Sequence, residues 1–167
     1  MKTSHTLKPD FSWSCSNIDK LISKYNLTNY ILLFPFCSEH LQQKKWPYYD
    51  QLIKLIKQNH PNLKIVIAPG PDEIEKAKEL DAVSILSEDK AISISELAGL
   101  IKRSKFVVAN DTGPAHMAAH LNVKGLSLFG SHTTAHKVSI ERENFKAIQV
   151  SDLKNLSAEK VFERLVL

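Results

Sequence analysis

Short apolar runs alternate along this chain with longer stretches whose apolar residues recur at helical spacing. The runs are Asn29–Phe34, Leu63–Ala68, Val83–Leu86, Phe106–Ala109, Gly125–Phe129 and Phe145–Val150. They are short, bounded by turn residues and largely unbroken by polar positions, which predicts strands covered on both faces. Between them, Asn17–Tyr25, Trp46–Gln58, Asp72–Leu80, Ser93–Lys102, Ala115–Leu121 and Ser157–Leu165 read as helices. Ile18, Leu21 and Ile22 share one face of the first, and Leu52, Leu55 and Ile56 point inward from the second. Ser93-Ile94-Ser95-Glu96 has the spacing of a capping box. Met1 to Ser16 is polar and without period, so residues 1–27 read as a tail or linker with one short helix, and 28–167 as the domain.

Strand and helix alternate about five times, which predicts an α/β fold: a Rossmann-like parallel sheet with helices on both faces. Ligands of such sheets bind beyond the carboxyl ends of strands, where strand order reverses. Pro35, Pro69-Gly70, Asp111 and Gly130 fall at predicted strand ends. The densest candidate chemistry is Lys105 to Ser131, KFVVANDTGPAHMAAHLNVKGLSLFGS. Here a strand passes into a helix through Asn110-Asp111-Thr112-Gly113-Pro114. Asp and Thr suit a helix N-cap, and Pro suits the first turn. The helix N-terminus then lies just past a strand end, a place that favours phosphate. Gly113 permits close approach of a ligand to the backbone.

Asp111-Thr112-Gly113-Pro114-Ala115-His116, then Ala118-Ala119, then Leu128-Phe129-Gly130, resembles the lipopolysaccharide heptosyltransferases, glycosyltransferase family nine. The segment Pro35 to Pro47, PFCSEHLQQKKWP, resembles a second motif of that family. The resemblance implies the C-terminal, donor-binding half of a GT-B fold and a nucleotide-diphosphate sugar as ligand, with ADP-heptose the expected donor. By the same resemblance Lys44 contacts the donor phosphate, with Ser38 adding a hydroxyl. An acid at Pro69-Gly70-Pro71-Asp72-Glu73 holds the ribose hydroxyls; Asp72 and Glu73 both stand there, and spacing favours Glu73. Asp111 would meet the donor sugar, with helix capping and catalysis as its other readings. Thr112, Gly113 and His116 would serve the phosphates. Two positions depart from the pattern: Phe36 stands where the family has glycine, and His132-Thr133 where it continues with Thr or Ser and then Pro. The acceptor domain and its basic carboxylate have no counterpart in the chain, so the lipid acceptor and catalytic base are expected elsewhere.

Composition narrows this further. Hydrophobic residues form 43% of 167, which fits one domain with a real core. The net charge of +4 fits an ordinary lysine-rich surface, or attraction to phosphorylated ligands or an anionic membrane surface. No nucleic-acid motif accompanies it. Cys15 and Cys37 are too few for a disulfide framework, so a reducing cytoplasm is expected, with peripheral contact to the inner membrane left open. The longest apolar run, Tyr30–Phe36, is too short to span a bilayer, and the N-terminus lacks a signal-peptide layout. His116/His120 and His132/His136 are spaced i, i+4 but lack the companion ligands of a zinc site, so neither metal nor cofactor is expected. Three functions stay open: a glycosyltransferase donor domain, a nonenzymatic nucleotide-sugar binding module, and another GT-B-like enzyme such as a uridine-nucleotide epimerase. A partner chain carrying the other half separates the first from the second, and an orphan half-enzyme is expected to form a homo-oligomer through its exposed interdomain face.

Overall fold

The computed structural model describes residues 10–167. Its elements run α1 (Asp19–Tyr25), β1 (Tyr30–Phe34), α2 (Tyr49–Asn59), β2 (Lys64–Ile67), α3 (Ile74–Ala77) and β3 (Val83–Ser84). Then come β4 (Leu86–Ser87), β5 (Lys90–Ala91), α4 (Ile94–Arg103), β6 (Phe106–Asn110), α5 (Gly113–His120), β7 (Gly125–Phe129), β8 (Phe145–Gln149) and α6 (Ala158–Phe162). Six strands form one sheet in the order β3-β2-β1-β6-β7-β8, and every pairing in it is parallel. Strand order reverses between β1 and β6, so their carboxyl ends flank the crevice where such sheets take ligands.

The unbroken apolar runs are explained by cover on both faces. Tyr30, Leu32 and Phe34 of β1 join a core with α1, α4 and α5. Ile31 and Leu33 turn to the opposite core, shared with α2, α3 and α6. Val107 and Ala109 against Phe106 and Val108 split in the same way along β6. Alternation of side chains across the pleat sends every second residue to each core, and neither face reaches water.

Four expectations are corrected. The leading segment is not a linker in its described part: Ile18, Leu21 and Leu27 are buried in the core. Ser16 donates its N–H to the Ser95 carbonyl at 3.0 Å. A Cβ on Gly99 would stand 2.7 Å from the Ser16 carbonyl, so the segment packs too closely on α4 for any other residue there. Residues 1–9 lie outside the described residues. The helix read as Trp46–Gln58 begins at Tyr49, because Pro47 disfavours helical backbone at Trp46 and Tyr48 is itself non-helical, with φ −110° and ψ 27°. Ile53 is buried from it beside Leu52 and Ile56, while Leu55 is only half-buried. The Asp72–Leu80 helix shrinks to a 3-10 turn and the short α3. Finally, the run Val83–Leu86 splits. Tyr25 Oη donates to the Leu86 carbonyl at 2.9 Å and accepts its N–H at 3.0 Å, and Glu88-Asp89 turn back with positive φ. Leu86–Ser87 therefore leaves the sheet for the β4–β5 hairpin.

Candidate functional site

β6 ends in Asn110, fully buried, and its side chain organises the crevice. Its Oδ1 accepts from the Trp46 N–H at 3.2 Å and from Tyr49 Oη at 3.5 Å. Trp46 is itself locked: its indole is 1% exposed, and Nε1 donates to the Leu156 carbonyl at 2.7 Å. This clamp brings the segment after β1 against the segment after β6. It sets Lys44, two residues before Trp46, beside Asp111, one residue after Asn110.

Asp111 is 4% exposed and takes three donors. Lys44 Nζ lies 2.9 Å from its Oδ2, His132 Nε2 3.0 Å from the same oxygen, and His116 Nε2 3.4 Å from Oδ1. Burial pushes the Asp111 carboxyl up, but hydrogen bonds from His116, Lys44 and His132 outweigh it. They hold the group well below the usual carboxylate range. Asp111 does not cap α5: no side chain caps that helix, and Thr112 Oγ1 donates instead to the Asn110 carbonyl at 3.3 Å.

A consequence for stability follows from the sign of that shift. In the unfolded chain Asp111 titrates near an ordinary value of about 3.9. The folded value is lower, so the unfolded state takes up the proton first as pH falls. The ionised carboxylate's contribution is therefore complete above about pH 5 and drains away as pH drops through the unfolded value toward the folded one. Melting wild type and Asp111→Asn side by side from about pH 6 to about pH 3 should show the gap in Tm closing. A gap that stays constant would mean that shape rather than charge is what Asp111 contributes.

Beside this cluster opens a cleft of about 560 Å³, within the size range of small-molecule sites. Ser38, Glu73, Thr112 and Gly113 line it, together with Phe36, Pro69-Gly70 and the start of α4 at Ile92–Ile94. The N-terminus of α5 therefore faces the cleft without a side-chain cap, the arrangement that leaves N–H groups for an anion. Nothing lies within 4 Å of a Cβ built on Gly113, so packing does not demand glycine there. Glu73 Oε2 accepts from the Gly70 N–H at 2.8 Å, which fixes the turn after β2 and keeps the carboxylate at the cleft wall. Asp72 is exposed and is not part of that wall. Lys44, Asp111 and His116 do not line the cleft; they form the ion cluster joined to it through the Asp111–Thr112 peptide.

Two site residues escaped the sequence reading. Asn110 read as part of a turn, and His132 drew notice as half of an i, i+4 pair and as a departure from the family pattern, with no role at the site. The available signal for His132 was its place just past Gly130, at the carboxyl end of β7. Cys37 is not an activated nucleophile, since burial pushes its thiol up. Among the described residues no helix is long and apolar enough to cross a membrane.

The model of the glycosyltransferase family 9 (heptosyltransferase) proteins matches residues 2–165. Lipopolysaccharide heptosyltransferase 1 of Campylobacter coli is 31% identical over 114 residues, spanning 63% of this chain and 33% of that protein. The fold is similar to that of E. coli heptosyltransferase WaaC solved with ADP-2-deoxy-2-fluoro heptose. That match has a TM-score of 0.70 and 22% identity, over 92% of this chain and 47% of the other. The E. coli ADP-heptose lps heptosyltransferase II structure gives a TM-score of 0.71 at 20% identity, over 87% of this chain and 48% of the other. The chain thus spans a third to a half of the length of these relatives. With nearly every residue inside the matched region, the chain belongs to glycosyltransferase family 9, the heptosyltransferases.

Proposed function

We propose that this chain is the donor-binding domain of a heptosyltransferase, taking a nucleotide-diphosphate sugar, ADP-heptose by preference, for lipopolysaccharide core synthesis. The observation that carries the reading is the uncapped α5 N-terminus facing a 560 Å³ cleft at the strand-order reversal, with the Lys44–Asp111 ion pair beside it. The similar structures of E. coli heptosyltransferase WaaC with ADP and with ADP-2-deoxy-2-fluoro heptose support the same ligand class. Thr112 and Gly113 meet the diphosphate with backbone N–H groups, Ser38 adds a hydroxyl, and Glu73 accepts from the ribose hydroxyls. Asp111 and His116 orient the sugar and its nearer phosphate.

In the transfer step an acceptor hydroxyl attacks the anomeric carbon and the bond to the diphosphate breaks. Lys44 and the α5 N-terminus stabilise the negative charge that develops on the leaving group. The site for the lipid acceptor and the base that takes its proton belong to an acceptor domain distinct from this donor-binding one. The reaction is placed on the cytoplasmic side, at the inner membrane where that acceptor resides.

A second reading, a nonenzymatic nucleotide-sugar binding module, is favoured by one feature. Phe36, at a glycine position of the family, puts an aromatic ring on the cleft wall. Calorimetric titration with ADP, UDP and GDP tests the donor site itself. Selective binding of ADP is expected. Preference for UDP would point to an epimerase-like site, and silence with all three would end the donor reading. Turnover of ADP-heptose once an acceptor half is supplied separates the enzyme from the module.

A further inference from the structure

We infer that His132 is a positioning residue that keeps hold of Asp111 when Lys44 turns to the donor diphosphate; the inference rests on the donor-site reading above. Lys44 Nζ and His132 Nε2 both bond the same oxygen, Oδ2, at 2.9 and 3.0 Å. Among the described residues, Oδ1 has only the longer 3.4 Å contact to His116. An ionised carboxylate accepts and cannot donate, so the His132 nitrogen facing it carries the proton. Lys44 cannot serve a buried carboxylate and a phosphate at full strength together. With no second donor on Oδ2, its departure would strand a buried anion, and that cost would hold Lys44 back from the ligand.

The two donors differ in how firmly they are placed. The His132 side chain is 6% exposed, and its ring lies nearly parallel to and offset from that of Phe129, centroids 6.0 Å apart and planes 12° from parallel. Its Nδ1 is buried without a hydrogen-bond partner among the described residues, so the placement forgoes one bond to keep Nε2 on Asp111. Lys44 is 23% exposed and ends a 3-10 segment interrupted by non-helical backbone at Leu41. Trp46, two residues further on, is pinned by Asn110, which anchors the backbone beyond Lys44 and leaves its long side chain the freer part. The histidine is built to stay and the lysine to go.

The test is ADP calorimetry on wild type, His132→Ala, His132→Gln and His132→Asn, with Lys44→Ala as control. Glutamine places a terminal N–H at the reach of Nε2, and asparagine at the reach of Nδ1. Alanine and asparagine should bind ADP about tenfold more weakly, as for loss of one hydrogen bond to a charged group, while glutamine restores binding. Adding His132→Ala to Lys44→Ala should cost nothing further, because His132 acts through Lys44. If His132→Ala fails to fold, the glutamine and asparagine pair still decides. Equal binding by those two, or wild-type binding by His132→Ala while Lys44→Ala remains impaired, overturns this inference alone. Wild-type binding by Lys44→Ala overturns the donor reading and this inference with it.

Discussion

Trp46→Ala should lower the stability of the domain by about 3–5 kcal/mol, the range for truncating a fully buried large aromatic. The indole is 1% exposed and makes edge contacts with Tyr48 and Tyr49, centroids 6.0 and 4.9 Å away. Its removal opens a cavity between α2 and α6 and leaves the Leu156 carbonyl without its 2.7 Å donor. Denaturant unfolding measures the loss, and Trp46→Phe gives the comparison. Phenylalanine keeps most of the volume but not the N–H, so it should recover more than half of the difference. A loss below about 1 kcal/mol for alanine would mean that the neighbouring rings collapse into the space. The same substitution loosens the backbone that carries Lys44 two residues upstream, so donor binding should fall with stability.

Lys44→Ala should weaken ADP binding by about tenfold to a hundredfold, the value of a charge-assisted hydrogen bond to phosphate, while Tm changes little. The lower end is expected. Lys44 is already paired with Asp111 at 2.9 Å, and binding exchanges one anion for another rather than satisfying a free cation. Asp111→Ala separates the two roles in the same titration. It frees Lys44, so ADP alone should bind at least as well as to wild type. A nucleotide sugar should bind worse, having lost its sugar contact. If Asp111→Ala weakens ADP as much as Lys44→Ala does, the pair acts as one structural unit and Lys44 does not hand over.

The sheet and its layering were legible in the chain because their signals are local. Unbroken apolar runs such as Phe106–Ala109 mark strands covered on both sides, and Ser93-x-x-Glu96 forms the capping box that its spacing announces. The place of the site was legible too, since a strand end followed by Asp-Thr-Gly-Pro positions a helix N-terminus wherever the strand lies. One boundary failed where a distant group claimed a backbone atom. Tyr25 takes both polar atoms of Leu86 and pulls it from the sheet, whereas α2 starts late for a local reason, the restriction that Pro47 puts on Trp46. The leading segment read as a tail because its packing partner, Gly99, lies more than 80 residues away along the chain.

The sequence by itself thus determined the α/β class, the alternation of elements, the family and the strand-to-helix loop that borders the crevice. Each of these depends on periodicity or on residues close in the chain. Only the tertiary structure decided that Lys44 pairs with Asp111, that Asn110 and Trp46 clamp the two loops together, and that His132 shares Asp111. Those contacts join residues 21 to 67 positions apart. Their geometry follows from strand order and burial, and no local pattern encodes either.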